Sequence, residues 1–128
     1  IGRPRNSKVI KNSLLTSVWL LNCKYLDDSA FAGHTSLRIA SCPRVTTVGN
    51  HVFHECFEIV KILLPCAQFV GHGAFADAAR LTSISLPKLT VLGTGAFLST
   101  FELKKIIVKE TMVTELKRRV PSRTQVTS

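Results

Sequence analysis

The sequence predicts an α/β repeat solenoid of about five coils, with short parallel β-strands on its concave face and a helical cap at its C-terminal end. Three observations predict it. Like residues recur every 22 positions without an insertion. The recurring residues are apolar, glycine or proline. The recurrence stops after Val108, where a helix-like segment begins. A unit this short cannot bury its own apolar residues, so copies must stack and bury them against each other.

Phe31, Phe53, Phe75 and Phe97 mark the period. Gly49, Gly71 and Gly93 keep the same step, as do Pro43, Pro65 and Pro87. The apolar series Leu15, Leu37, Ile59, Leu81, Leu103 and Val18, Ala40, Ile62, Ile84, Ile106 run the length of the array. Further series start at Leu20, Cys23, Leu26 and Ala30. The unit reads L-x-x-I-x-L-P-x-V-x-x-V-G-x-x-A-F, followed by five more residues.

Each part has a physical reason. The I-x-L segment alternates, which suits a short strand with two side chains facing inward. Proline removes a backbone donor and ends that strand. The glycine after the second apolar position permits a backbone turn with positive φ. The small residue before phenylalanine lets neighbouring coils approach, and the phenylalanine fills the space between the strand and the returning chain.

The motif Leu81-Thr82-Ser83-Ile84-Ser85-Leu86-Pro87, followed by Leu92-Gly93-Thr94-Gly95-Ala96-Phe97, resembles the BspA-like class of leucine-rich repeats. Val52-Phe53-His54-Glu55-Cys56 matches the cysteine that the family often carries after its phenylalanine. The resemblance covers about residues 15–108, and the unit is one residue shorter than is usual for the family. It implies a curved solenoid with a parallel sheet on the concave face. It implies recognition, often on the surfaces of microbes and protists, and neither an enzyme nor a specific ligand.

Solenoid ends expose apolar faces and need caps. Residues 1–14 read as a basic arm or cap, 15–108 as the repeat array and 109–128 as a helical cap with a basic tail. Met112, Val113 and Leu116 share one helical face, Lys117 to Arg119 suit the C-terminal end of a helix, and Pro121 ends it. Residues 122–128 are polar and read as loose. No apolar run approaches the ~20 residues that span a bilayer.

The formal charge of +9 sits at the ends. Residues 1–14 carry four bases and no acid, whereas 15–101 carry six bases against five acids and 102–128 seven against three. Such ends suit an acidic partner. Arg3, Arg5, Lys8, Lys11, Lys117, Arg118, Arg119 and Arg123 form the candidate set for RNA or another anion. They lack interleaved aromatics, so any contact would be to phosphate, not to bases.

Strand residues not committed to the core face outward. The third position of the unit gives Ser17, Ile39, Lys61, Ser83 and Lys105; the fifth gives Trp19, Ser41, Leu63, Ser85 and Ile107. Stacked strands lie ~4.8 Å apart, so each series forms a ladder across the concave face. An outward ladder with several large apolar residues suits an interface. Trp19, Ile39, Leu63 and Ile107 are the candidate anchors for a protein partner, with Lys61 and Lys105 at the rim. The competing reading covers these residues with the arm or the helix.

Nothing points to catalysis. The glycine pairs are repeat turns, and no nucleophile, base and orienting acid fall into a triad pattern. Cys23, Cys42, Cys56 and Cys66 lack metal or redox spacing, and three of them fill core slots. His51, His54 and Cys56 form H-x-x-H-x-C, half of a zinc pattern, but the histidines fall in variable surface slots. The reading is therefore a non-catalytic scaffold, a subunit of a larger assembly, with no metal, cofactor or small-molecule substrate. An RNA-associated component of a ribonucleoprotein is the first alternative, and a surface adhesion or antigen module the second. Nothing in the cysteine spacing requires disulfides, and glycosylation acceptors are absent, which together favour an intracellular site.

Overall fold

The computed structural model describes residues 14–128. The arm residues Arg3, Arg5, Lys8 and Lys11 lie outside the described residues. Strands β1 (Ser17–Trp19), β3 (Ile39–Ser41), β5 (Lys61–Leu63), β7 (Ser83–Leu86) and β9 (Lys105–Val108) occupy the I-x-L segment of successive coils. Pairing is parallel and in repeat register: Val18 faces Ala40, Ala40 faces Ile62, and Ile84 faces Ile106. These inward residues are buried while their neighbours on the concave face alternate outward, the period of two that a half-buried strand requires.

The sequence predicts one strand per coil, but each of the first four coils has two. The second set is β2 (Tyr25–Leu26), β4 (Thr47–Val48), β6 (Phe69–Val70) and β8 (Val91–Leu92), a continuous four-stranded parallel sheet. It lies at the V-x-x-V-G part of the unit. Its inward residues Leu26, Val48, Val70 and Leu92 are buried.

The third side of the coil is held by phenylalanines. Phe31, Phe53, Phe75 and Phe97 stack with centroids 5.5, 6.0 and 5.3 Å apart and planes within 25°. Phe31, Phe53 and Phe75 are fully buried. Burying each side chain is worth about 1.5–3 kcal/mol, and each stacked pair adds about 1 kcal/mol.

Glycine acts differently from the expectation. Gly49, Gly71 and Gly93 are not among the positive-φ residues. They are needed for close approach: a Cβ on Gly93 would lie 2.4 Å from the backbone carbon of Gly71. The left-handed turns fall later, in two slots of each coil. One holds Ser29, His51, Gly73 and Gly95, the other Gly33, Glu55, Asp77 and Ser99. The slot carries the conformation whether or not it holds glycine, because both neighbouring coils turn there in register.

The C-terminal cap is helix α1 (Glu110–Arg119), with Met112 and Leu116 buried, Glu110 in its first turn and Lys117, Arg118 and Arg119 in its last. Residues 125–127 are not loose, as the composition suggests, but form strand β10 (Gln125–Thr127) beside β9. Val126 faces Ile106 in the ladder, and its side chain is buried. The helix thus replaces the returning side of one coil and delivers a sixth strand to the concave face.

Candidate functional site

The concave face is not one uninterrupted sheet. Its strands divide into β1-β3-β5 and β7-β9-β10, with no hydrogen-bonded pairing between β5 and β7. Elsewhere a backbone bond ties each coil to the one before: Arg38 N–H to Thr16 O at 2.8 Å, Val60 N–H to Arg38 O at 2.9 Å, and Lys104 N–H to Thr82 O at 2.8 Å. Among the described residues the corresponding bond from Thr82 to Val60 is missing. The second sheet stays closed at the same level, with Phe69 facing Val91. The hydrogen-bond ladder is therefore interrupted on one side only, while β5 and β7 stay adjacent.

A cleft of about 520 Å³ lies at this interruption. Lys61 and Leu63 form one bank, Ser83 and Ser85 the other, and Pro65 and Pro87 close one end. Its size falls in the range of ordinary ligand pockets, and its mix of apolar walls and a few hydroxyls is typical of them.

Of the candidate residues Leu63 and Lys61 line it, whereas Trp19, Ile39, Ile107 and Lys105 lie elsewhere on the ladder. Trp19 is 60% exposed and Leu63 39% exposed. Ser41 stands in register between them and is only 7% exposed, so a trough separates the two larger side chains. Ile39 and Ile107 are half-buried, and Lys61 and Lys105 are exposed. Neither lysine makes an ion pair among the described residues. Helix α1 packs beside β10 and leaves Trp19 and Leu63 exposed.

The basic C-terminal residues separate into two kinds. Arg119 donates to the carbonyl of Leu92 and pairs with Glu115 at 3.3 Å. Arg123 donates to the carbonyl of Phe101 at 2.9 Å. Both guanidiniums hold the cap onto the array. Lys117 and Arg118 are exposed.

Of the H-x-x-H-x-C pattern, His51 and His54 lie side by side with ring centroids 5.5 Å apart, but the cysteine does not join them. Cys23, Cys42 and Cys56 are buried and Cys66 is half-buried, all as free thiols. Burial raises the Cys23 thiol above its ordinary range and pushes Cys42 and Cys56 to about 12. Cys56 Sγ points inward and donates to the carbonyl of Phe31 at 3.2 Å, away from a shared site with His51 and His54.

Two features escape a reading by repeat slots. One is the cleft: Pro65 and Pro87 look like strand terminators, and no residue type announces a missing ladder bond. The other is a second apolar stripe, with Tyr25, Phe69 and Val91 exposed and Thr47 half-buried, in register along the second sheet. Its signal was present. Each of these residues directly precedes a member of the buried Leu26, Val48, Val70, Leu92 series, which is the alternation of a strand.

The BspA type leucine rich repeat region family matches residues 6–122 in 6 copies, and the chain belongs to that family. A solved leucine-rich repeat protein from Bacteroides ovatus is similar in fold, with a TM-score of 0.58 at 17% identity over 83% of this chain. The match spans 36% of that protein's length. No curated protein matches the chain significantly. The fold is thus a leucine-rich repeat solenoid, and such repeats serve in general as protein-interaction scaffolds. Among the described residues no helix is long and apolar enough to cross a membrane.

Proposed function

We propose that the chain is a non-catalytic interaction module, a subunit of a larger assembly, that docks a partner protein on its concave face. The observation that carries this reading is the cleft at the β5–β7 interruption, set in the middle of the outward ladder. Leu63 and Lys61 border it directly, Trp19 stands across the Ser41 trough, and Lys105 lies beyond Ser83. The partner therefore presents an apolar side chain to the cleft and acidic groups to Lys61 and Lys105, which are exposed and make no ion pair among the described residues. Burying exposed tryptophan and leucine supplies most of the affinity, and the lysines supply orientation and rate of encounter.

The test is a Trp19→Ser, Leu63→Ser double variant, used in affinity capture from the source cells with and without ribonuclease. Both side chains are outside the core, so the variant should melt with the parent. Partners that survive ribonuclease and are lost by the variant support the reading. Partners retained by a folded variant overturn it. Partners lost only on ribonuclease treatment transfer the function to RNA.

A further inference from the structure

We propose that His54, Glu55 and Asp77 form a binding site for a first-row divalent cation of the zinc type, on the turns between the strands. His54 Nε2 lies 3.0 Å from Asp77 Oδ2. One ligand atom from each of the three residues lies within 4.8 Å of the others. Asp77 occupies the same slot as Glu55 one coil later, and both take the left-handed backbone, with φ of 60° and 63°. Stacking thus presents two carboxylates from neighbouring coils to one imidazole.

The distances suit a cation. Zinc bonds to histidine nitrogen and carboxylate oxygen run about 2.0–2.2 Å. Two such ligands at the tetrahedral angle are ~3.4 Å apart, so the His54–Asp77 pair, now in direct contact at 3.0 Å, need open by only a few tenths of an ångström to admit the ion. The Glu55 side chain is exposed and free to rotate inward over the remaining distance. One nitrogen and two oxygen donors suit zinc and its neighbours in the first transition row, with water in the open positions. His51 stands beside the group, its ring centroid 5.5 Å from that of His54.

The repeat supplies an internal control. The slot of His54 holds Ala32, Ala76 and Leu98 in the other coils, and the slot of Glu55 and Asp77 holds Gly33 and Ser99. The coil folds without ligating side chains there, so this grouping is not required by the fold. The His54 and Asp77 side chains are only 36% and 33% exposed, which weakens solvent screening between them. A bound ion would join one coil to the next, so it would stabilise the folded chain by mass action.

The experiment is calorimetric titration of the whole chain with zinc chloride, paired with thermal melts in zinc and in EDTA. One equivalent should bind, and zinc at 100 times its Kd should shift the folding equilibrium roughly 100-fold, raising Tm. His54→Ala restores the residue found in two other coils, so it should fold and melt normally in EDTA. That variant and Asp77→Asn should lose both the zinc-induced rise and the tight equivalent, whereas Cys66→Ser should keep them. No saturable binding to the parent, or binding that survives His54→Ala and Asp77→Asn, or binding lost in Cys66→Ser, would overturn the proposal.

Discussion

The imidazole of His72 accepts the backbone N–H of Thr94 through Nδ1 at 2.9 Å. One coil earlier Asn50 Oδ1 accepts the N–H of His72 at 2.9 Å, and before that Asp28 Oδ1 accepts the N–H of Asn50 at 2.8 Å. Three different side chains thus perform one task, tying the same turn of each coil to the next. With Nδ1 as the acceptor, the proton of neutral His72 sits on Nε2.

His72→Ala should therefore lower stability by about 1 kcal/mol, the usual net value of one such bond. His72→Asn should recover most of it, because Asn50 already makes the same contact one coil away. Chemical denaturation of the two variants tests this. Equal losses in both would show that the imidazole acts through packing instead of its acceptor nitrogen.

Glycine substitutions should separate by slot. A Cβ on Gly71 would lie 2.6 Å from the backbone carbon of Gly49, with no room to relax, whereas a Cβ on Gly95 meets nothing within 4 Å. Gly95 has a φ of +64°, so Gly95→Ala costs only the left-handed backbone term, about 1–2 kcal/mol. Gly71→Ala carries no such backbone term but must push two coils apart, and should fail to fold or lose several times as much. Comparable melting temperatures for the two would contradict the close-approach role.

These slots show what the sequence could and could not reveal. Phe31 to Phe97, the buried series and the helix over 110–119 were legible because each records burial, and burial follows a period. The outward exposure of Trp19 and Leu63 followed from strand alternation. The conformation of Gly49, Gly71 and Gly93 was not legible: glycine marks freedom from Cβ and does not say whether φ or space demands it. Strand β10 was hidden because its short polar sequence becomes a strand only through the waiting edge of β9. The β5–β7 interruption depends on how two coils settle against each other, which no single residue encodes.

Alkaline pH should weaken the fold through two thiols. Burial pushes Cys42 and Cys56 up to about 12 from an ordinary value of 9.0. The unfolded chain ionises these thiols first, so their contribution is intact below pH 9 and is lost as pH rises toward about 12. One unit above the ordinary value, each thiol should cost roughly 1 kcal/mol. Denaturation curves from pH 8 to 11, run on the parent and on Cys56→Ala, provide the check. The alanine follows Ala78 in the next coil, and its curve should fall less steeply with pH. Parallel curves would mean that the Cys56 thiol does not drive the loss.

The C-terminal arginines separate a structural role from a nucleic-acid role. Arg119 satisfies the carbonyl at the end of β8 and braces α1 through Glu115. Its guanidinium is partly screened, so Arg119→Met should cost about 1–2 kcal/mol, less than a fully buried charged bond. Lys117 and Arg118 are exposed, and changing both to Met should move stability by no more than ~0.5 kcal/mol. If this end of the molecule meets phosphate, the double change should weaken binding to single-stranded RNA and flatten its dependence on salt, by about one unit of slope per lost contact. Arg119→Met, measured below its melting temperature, should bind RNA nearly as the parent does. The opposite pattern, with RNA affinity following Arg119 and indifferent to Lys117 and Arg118, would mean that the guanidinium leaves the Leu92 carbonyl to reach the ligand.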